Sequence, residues 1–279
     1  MDYLRAAQPR VVALFLLTVV VAMLLAGPPG AALFAAVVVA AGLTVGGAAM
    51  LNNYLERDLD RRMERTRRRP IAAGAVSPRR ALIVSLAATA AGVLGLYVVA
   101  GTPAAVFALC GAVYYVVVYT LLLKPRTALS ALPGGVAGIF PALIGWTAAG
   151  GGWSHDIVFV CLLIVLWSPP HFWALSLALK DDYASSGIPT PPAAYGERTT
   201  CRQILVLVVV LTALTAAPLA WGLSGLVYPV VALGAGVVLW VLAIDLYRRR
   251  TARSAWVFFK FSGPYLAAIL VALVVDRLR

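Results

Sequence analysis

Charged residues are scarce in this chain. Asp, Glu, Lys and Arg together make up 12% of its 279 residues, whereas hydrophobic residues make up 62%. The mean hydropathy of +0.92 is well above the range of soluble globular domains. Because so few polar side chains are available to cover a water-facing surface, the composition predicts a polytopic membrane protein.

Cysteines and histidines are also few, and this argues against several kinds of site. The chain holds 3 cysteines and 2 histidines. Cys110, Cys161 and Cys201 form no CxxC pair and have no metal-ligand spacing, so we interpret them as packing residues. The net charge of +12 falls on no compact soluble region, and we therefore expect no nucleic-acid partner.

Long apolar runs are what the sequence has in abundance. A helix needs about 17 to 25 apolar residues to cross a hydrocarbon core of about 30 Å. Nine stretches fit this length: 11–27, 31–51, 80–100, 104–123, 129–149, 156–179, 204–222, 225–247 and 255–276. The sequence therefore predicts an all-α fold of nine transmembrane helices, which we expect to form a single domain over residues 1–279. The first span ends in a Gly-Pro turn and not in a cleavage site, so we expect it to be retained.

Positive charge is distributed unevenly between the loops. If the N-terminus is cytoplasmic, 20 of the 23 lysines and arginines lie on the cytoplasmic side. By the positive-inside rule this predicts a cytoplasmic N-terminus. We expect a multi-pass protein in the lipid bilayer of the cell's inner (cytoplasmic) membrane.

The most informative segment follows the second span. Asn52, Glu56 and Asp60 are spaced i, i+4, i+8, so a helix continuing beyond residue 51 would place all three on one face. Carboxylate and amide oxygens suit Mg²⁺, which commonly bridges a few carboxylates to a substrate phosphate. The spacing predicts a hard-cation site at a helix end.

Seven arginines follow in the same segment, at positions 57, 61, 62, 65, 67, 68 and 69. Guanidinium groups match phosphate oxygens, so they can complete a diphosphate pocket. The alternative is that these arginines only set topology and the acids only neutralise them. The acids lie on one stripe and begin inside the apolar segment, which favours a site.

A second polar segment lies near residue 180, on the same predicted membrane side. Asp181 and Asp182 follow the sixth span, and an unbroken helix would place His171 on the face of Asp182, about 16 Å away. A histidine inside a membrane span is a functional candidate. The alternative is a packed histidine bonded to a backbone carbonyl that Pro169 and Pro170 leave free. Residues 52–80 and 180–203 together hold seven of the 11 acids.

Two longer motifs resemble a known family. The segment from Asn52 to Pro70 is similar to the first aspartate-rich motif of the UbiA-type intramembrane prenyltransferases. The WxxPHFxAL stretch at 167–175 and the DYxxxGIPxxP stretch at 182–192 resemble the heme-farnesylating branch of that family. The similarity continues into the last span, where Arg253, Trp256, Phe259 and Ser262 fit the same pattern.

The resemblance implies nine helices around a central cavity, with an active site toward the cytoplasmic face. It implies Mg²⁺-dependent transfer of a farnesyl group from farnesyl diphosphate to heme b, with a downstream heme-modifying or oxidase-assembly protein as partner. Metal and diphosphate would be bound by Asn52, Glu56 and Asp60, with Asp182 opposite. We predict substrate contacts from Asn53, Arg57, Arg65, Arg69, Tyr119, Lys124, Arg126, Trp167, His171 and Lys180.

Some of these assignments have alternatives. Lys124 and Arg126 are explained almost as well by topology as by phosphate binding. His171 is predicted to contact heme, as an axial ligand through one nitrogen, with Trp167, Phe172 and Trp173 packing on the macrocycle. A related prenyltransferase acting on an aromatic or quinone precursor is the alternative enzyme. A membrane transporter is the alternative of another class.

Overall fold

A computed structural model describes all residues of the chain, Met1–Arg279. Nine helices are long and apolar enough to cross a membrane. They are α1 Pro9–Ala26, α2 Ala31–Leu55, α3 Pro78–Ala100, α4 Thr102–Leu123, α5 Ala131–Ala148, α6 His155–Ala178, α7 Glu197–Ala220, α8 Val227–Arg249 and α9 Ala252–Arg277. The predicted all-α class and the number of spans are confirmed.

The spans begin and end where the sequence has turn residues. Gly27, Gly101 and Gly150 have positive φ angles of 150°, 82° and 78°, a conformation that side chains with a Cβ rarely adopt. Gly101 allows the chain to leave α3 and enter α4 with a single intervening residue. These glycines explain why α1, α3 and α5 end close to the predicted positions.

Contacts divide the chain into two compact units. The first comprises residues 1–123, 140–152 and 185–187, and the second comprises residues 124–139, 153–184 and 188–279. The first unit contains α1 to α4 and an apolar cluster that includes Val19, Met23 and Leu96. In the second unit α6 packs against α7 and α9, and α8 packs against α9. The central cavity and the single domain stay predictions.

One predicted helix continuation is wrong. Helix α6 ends at Ala178, and the chain turns at Leu179 (φ −122°, ψ 32°) into a separate helix, Lys180–Ser186. His171 and Asp182 therefore do not share one unbroken helix. Acidic side chains are favourable at a helix N-terminus and unfavourable at a C-terminus, so Asp181 and Asp182 start a new helix.

The prolines of α6 do not open the helix. Pro169 and Pro170 are buried inside a continuous helix, although each lacks the N–H that would bond to the carbonyl four residues before it. One of these carbonyls belongs to Val165. A Cβ built on Gly135 would lie 3.2 Å from the Val165 carbonyl oxygen. Only a residue without a side chain fits so closely against α6.

Helices α2 and α3 approach each other through glycines. A Cβ on Gly92 would lie 2.3 Å from the Thr44 hydroxyl oxygen and 2.5 Å from the Thr44 nitrogen. A Cβ on Gly47 would meet Thr89 in the same way, at 2.4 Å from its hydroxyl oxygen. Small residues at such crossings let the backbones of membrane helices touch. This crossing supports the end of α2, where the polar residues begin.

We expect Gly92→Ala to destabilise the protein by about 1 to 3 kcal/mol, because the added methyl meets backbone atoms that cannot rotate away. The matched control is Gly234→Ala in α8, where a Cβ would have no neighbour within 4 Å. Thermal unfolding of the detergent-purified variants measures the effect. Equal melting temperatures for Gly92→Ala and Gly234→Ala would contradict the close approach of α2 and α3 at Gly92.

Candidate active site

Three buried polar side chains lie on successive turns at the end of α2. Asn52, Glu56 and Asp60 are 4%, 7% and 2% exposed. Helix α2 ends at Leu55, and a four-residue helix, Arg57–Asp60, follows it. The i to i+4 hydrogen bonds nevertheless continue, from Glu56 N to Asn52 O at 2.9 Å and from Asp60 N to Glu56 O at 2.7 Å. The predicted spacing thus keeps the three residues together although the helix is interrupted.

Asp60 is held by a guanidinium group. The Nη1 atom of Arg69 donates to both carboxylate oxygens of Asp60 at 2.9 Å, and the side chains are 23% and 3% exposed, respectively. The Thr66 hydroxyl donates to the Asp60 carbonyl at 3.2 Å. Burial raises the pKa of Asp60, while the charge and hydrogen bonds of Arg69 oppose this rise. Arg69 thus pairs directly with a buried acid of this group.

Asn52 is oriented by a residue that the sequence analysis did not identify. Its Nδ2 donates to the Thr120 hydroxyl at 3.0 Å, and that hydroxyl donates to Tyr115 O at 2.9 Å. Both Thr120 and Tyr115 lie in a π-helical segment, Tyr114–Leu123, in the second half of α4. Such segments often occur at functional sites. In the sequence, the feature that could have indicated this role is a single threonine, Thr120, within an apolar span.

These residues fit a magnesium ion that is shared with a substrate. The chain has no group of three or more His, Cys, Asp and Glu side chains able to hold a metal by themselves. Mg²⁺ typically takes one or two carboxylates and completes its shell with water and phosphate oxygens. Glu56 and Asp60 supply two carboxylates, and Asn52 supplies an amide oxygen. The donor set is therefore suited to a metal that arrives with a diphosphate.

Three other residues of the first unit were also predicted to contact the substrate, namely Asn53, Arg57 and Arg65. The Asn53 amide donates to Ala6 O at 2.6 Å and accepts from Gln8 at 2.9 Å, which favours a structural role in holding the N-terminal segment. Arg57 donates to Tyr54 O at 2.9 Å and lies over the Tyr54 ring. Arg65 is exposed.

Aromatic side chains accompany the acids. Tyr119 stacks on Tyr115 with ring centroids 6.0 Å apart and planes 14° apart. Tyr115 is linked to Asn52 through Thr120, whose hydroxyl donates to Tyr115 O and accepts from the Asn52 amide. The two tyrosines therefore give the predicted site an aromatic wall that begins inside the membrane span.

The remaining predicted ionic residues belong to the second unit. Lys180 is exposed, and its Nζ lies 2.9 Å from a carboxylate oxygen of Glu197, a hydrogen bond that raises the pKa of the lysine. Asp182 and Lys124 are half-buried, and Arg126 is exposed. The pairing of Lys180 with Glu197 favours a structural role for this lysine.

His171 lies at the centre of an aromatic cluster in the second unit. Its ring is stacked between Trp167 and Phe259, with centroid distances of 4.3 and 4.4 Å. Its Nδ1 lies 2.6 Å from the Ser262 hydroxyl oxygen. Trp167 Nε1 donates to Ser262 O at 2.7 Å. The alternative of a histidine bonded to a freed backbone carbonyl is wrong, because its ring partner is a hydroxyl.

The aromatic neighbours of His171 are not equally available to a ligand. Trp167 turns one face to the histidine and is 6% exposed, and Trp173 is 4% exposed, with an indole N–H that has no hydrogen-bond partner. Phe172 is 40% exposed and meets His171 edge-on. A flat ligand could therefore contact Phe172, whereas stacking on Trp167 or Trp173 would require movement.

The fold and these polar groups define a class: a polytopic α-helical membrane protein with buried carboxylate and amide side chains and a paired guanidinium near a helix end. The chain belongs to the UbiA prenyltransferase family, whose model matches residues 15–264. This match extends over both compact units.

Curated relatives are similar along almost the whole chain. A protoheme IX farnesyltransferase from Marinobacter nauticus is 39% identical over 278 residues, which cover 99% of this chain and 92% of the relative. A protoheme IX farnesyltransferase 1 from Pseudomonas putida is also 39% identical, with 94% of the relative covered. A protoheme IX farnesyltransferase from Thermus thermophilus is 40% identical, but the match covers only 46% of that relative. The chain thus spans about half the length of some curated relatives and nearly all of others.

Solved structures share the fold at low sequence identity. A structure described as a UbiA homolog from Archaeoglobus fulgidus bound to GPP and Mg²⁺ has a TM-score of 0.73 and 13% identity, and the match covers 99% of this chain and 100% of that one. A structure concerning digeranylgeranylglyceryl phosphate synthase has a TM-score of 0.81 and 16% identity, covering 99% and 98%. These similarities establish the helical architecture of the chain.

Proposed function

We propose that this protein transfers a farnesyl group from farnesyl diphosphate to a vinyl group of heme b, with Mg²⁺, inside the membrane. The observation that carries the proposal is the buried set of Asn52, Glu56 and Asp60 at the end of an apolar helix, with Asp60 paired to Arg69. Two relatives that the chain covers by more than nine-tenths are named protoheme IX farnesyltransferase.

A prenyl diphosphate matches this placement of charge. A chain of fifteen carbons gains roughly 12 kcal/mol by leaving water, at about 0.8 kcal/mol per carbon. The diphosphate gains nothing from the hydrocarbon and needs cationic partners. A polar site at the end of a membrane helix allows the tail to stay in an apolar environment while the diphosphate meets Arg69 and the metal ion that the acids would hold.

The residues would act mainly by stabilising charge. When bound, Mg²⁺ supplies positive charge to the diphosphate as its bond to the farnesyl carbon breaks. Asn52, Glu56 and Asp60 would hold the metal, and the Arg69 guanidinium would donate to the diphosphate that leaves. The stacked Tyr115 and Tyr119 present aromatic surface to an allylic cation. The vinyl carbon then attacks the cation, and water completes a hydroxyethylfarnesyl group with loss of a proton.

Heme b is supported as the acceptor by His171. Its imidazole is stacked on both faces and hydrogen-bonded at Nδ1, so the ring is held in one orientation. An aromatic or quinone precursor would give no reason for such a histidine. The names of the relatives do not favour that acceptor or a transporter. Because the product is a modified heme, its recipient would be a heme-modifying or oxidase-assembly protein.

The proposed function is tested by product analysis. Membranes containing the protein are incubated with heme b, farnesyl diphosphate and Mg²⁺, and the products are analysed by mass spectrometry. We expect a heme that has gained one farnesyl group and one hydroxyl group across a vinyl double bond, and no such product with EDTA. Prenylation of an added aromatic acid in place of heme would contradict the proposed acceptor.

We also propose that the N-terminus and the diphosphate site face the cytoplasm of the inner membrane, on the basis of the loop charges. Labelling of single cysteines tests this orientation. Cysteine at Arg62 and cysteine at Gly152 are suitable positions, because Arg62 is exposed and a Cβ at Gly152 meets nothing within 4 Å. The neighbouring Gly151 is unsuitable, since its Cβ would lie 2.4 Å from the Trp146 indole nitrogen.

In a background without the native cysteines, an impermeant reagent should label position 62 only from the cytoplasmic side. Position 152 should be labelled only from the opposite side. Labelling of both positions from the same side would refute the proposed orientation.

A further inference from the structure

We infer that Ser262 holds His171 in the tautomer that carries its proton on Nδ1, so that Nε2 offers its lone pair to the iron of heme. The inference rests on the proposed function for the identity of the ligand, but not for the tautomer itself. Ser262 would then be a positioning residue, acting through His171.

The tautomer follows from a count of protons. The Ser262 oxygen lies 2.8 Å from the Phe259 carbonyl oxygen and 2.6 Å from His171 Nδ1. Each of these short contacts between electronegative atoms requires one proton between them. The carbonyl has no proton, so the hydroxyl proton lies on that side. The proton of the second contact must come from His171 Nδ1, and in a neutral imidazole Nε2 is then unprotonated.

The ring is held in orientation as well as in protonation. Trp167 and Phe259 cover its two faces, with interplanar angles of 25° and 30°. Trp167 is itself fixed through its hydrogen bond to Ser262 O. Ser262 therefore supports the ring with its hydroxyl and the stacked indole with its carbonyl.

Stacking covers the two faces of the ring but not the plane in which its nitrogen lone pairs lie. A nitrogen lone pair lies in the plane of the imidazole, so stacking on both faces does not obstruct coordination at Nε2. A hydrogen bond at the other nitrogen, which fixes the tautomer and raises ligand basicity, is the usual arrangement of metal-binding histidines. The geometry is suited to one axial bond to a metalloporphyrin.

The tautomer can be measured without any substrate. The chain has only 2 histidines, so His155→Asn leaves His171 as the single imidazole. In protein labelled with ¹⁵N-histidine, we expect a protonated-type signal for Nδ1 and an unprotonated-type signal for Nε2 at neutral pH. Ser262→Ala should lose this preference, and Ser262→Thr, which keeps the hydroxyl, should retain it. A protonated Nε2 in the His155→Asn protein would overturn the inference, whatever the Ser262 variants do.

Heme binding is measured by titration of the purified protein with ferric heme and by the position of the Soret band. We expect Ser262→Ala to weaken binding by roughly 10-fold to 100-fold, in the range found for residues that orient metal ligands. We expect His171→Gly to lose the Soret position of the wild-type complex, and added imidazole to restore it by occupying the space between Trp167 and Phe259.

An unchanged Soret band in His171→Gly would overturn the assignment of Nε2 as iron ligand and would favour a role for the atom in accepting a proton. Failure of the proposed function looks different. In that case the wild-type protein would give no farnesylated heme, while the tautomer measured without substrate would still be the one stated here.

Discussion

Asp60→Asn should reduce farnesyl transfer by about 100-fold or more while the protein stays folded in the membrane. The substitution preserves the shape of the side chain but removes the charge that would hold Mg²⁺ and the diphosphate. Losses of this size are typical when a preorganised charge-stabilising group is removed from an active site. The measurement is the initial rate of product formation at saturating Mg²⁺, together with the elution profile of the purified protein.

Asp58→Asn is the matched control. Asp58 lies two residues away and also carries a negative charge, but its side chain is 64% exposed and pairs with Arg57 and Arg61 at the surface. We expect nearly unchanged activity in this variant. Similar losses in Asp58→Asn and Asp60→Asn would indicate an effect of net charge and would end the metal assignment, as would near-wild-type activity of Asp60→Asn.

Arg69→Leu should be the most destabilising substitution of a charged residue in the first unit. It leaves the Asp60 carboxylate buried without its guanidinium partner, and breaking a buried ion pair in this way costs about 3 to 5 kcal/mol. The control is Arg67→Leu. Both side chains of the ion pair between Arg67 and Glu64 are exposed, so loss of this pair should cost no more than about 1 kcal/mol. Thermal unfolding in detergent compares the two variants.

The cost of Arg69→Leu should depend on pH. Without Arg69, the pKa of Asp60 rises further above its unfolded value, so the folded state binds a proton more readily than the unfolded state does. The loss of stability in Arg69→Leu is therefore complete at pH values above the pKa that Asp60 has in the folded protein. It disappears as the pH falls to the pKa that Asp60 has in the unfolded chain. Addition of Asp60→Asn should remove both the penalty and its pH dependence. A loss of stability that is the same at all pH values would show that packing, and not the unpaired charge, is responsible.

Local features of the sequence were enough to predict the membrane helices. A run of about 20 apolar residues has few alternatives in a bilayer, because each backbone group must find its partner within the same segment. The Gly-Pro breaks at 27–30 and 101–103 are local as well, and α1 to α4 begin and end near the predicted positions. Helix α7 begins at Glu197 and not at 204, because its first two turns are polar and hydropathy does not detect them.

The spacing of Asn52, Glu56 and Asp60 was also sufficient to predict that they lie together. The i, i+4 relation depends only on helical hydrogen bonds, and those bonds persist across the break at Glu56. The same reasoning failed for His171 and Asp182, since a helix that ends at Ala178 removes the periodicity on which the prediction relied. Spacing is informative only as far as the backbone hydrogen bonds continue.

Only the tertiary structure determines which partners these side chains have. Seven arginines within 13 residues look alike in the sequence, and only the path of the chain after Asp60 brings Arg69 back to it. Thr120 reaches Asn52 across 68 residues, and Ser262 reaches His171 across 91. Local periodicity sets which residues share a helix face, whereas the pairing of buried polar groups depends on helix packing. That packing places one proton donor and one acceptor within about 3 Å of each other, and no local pattern in the sequence encodes that distance.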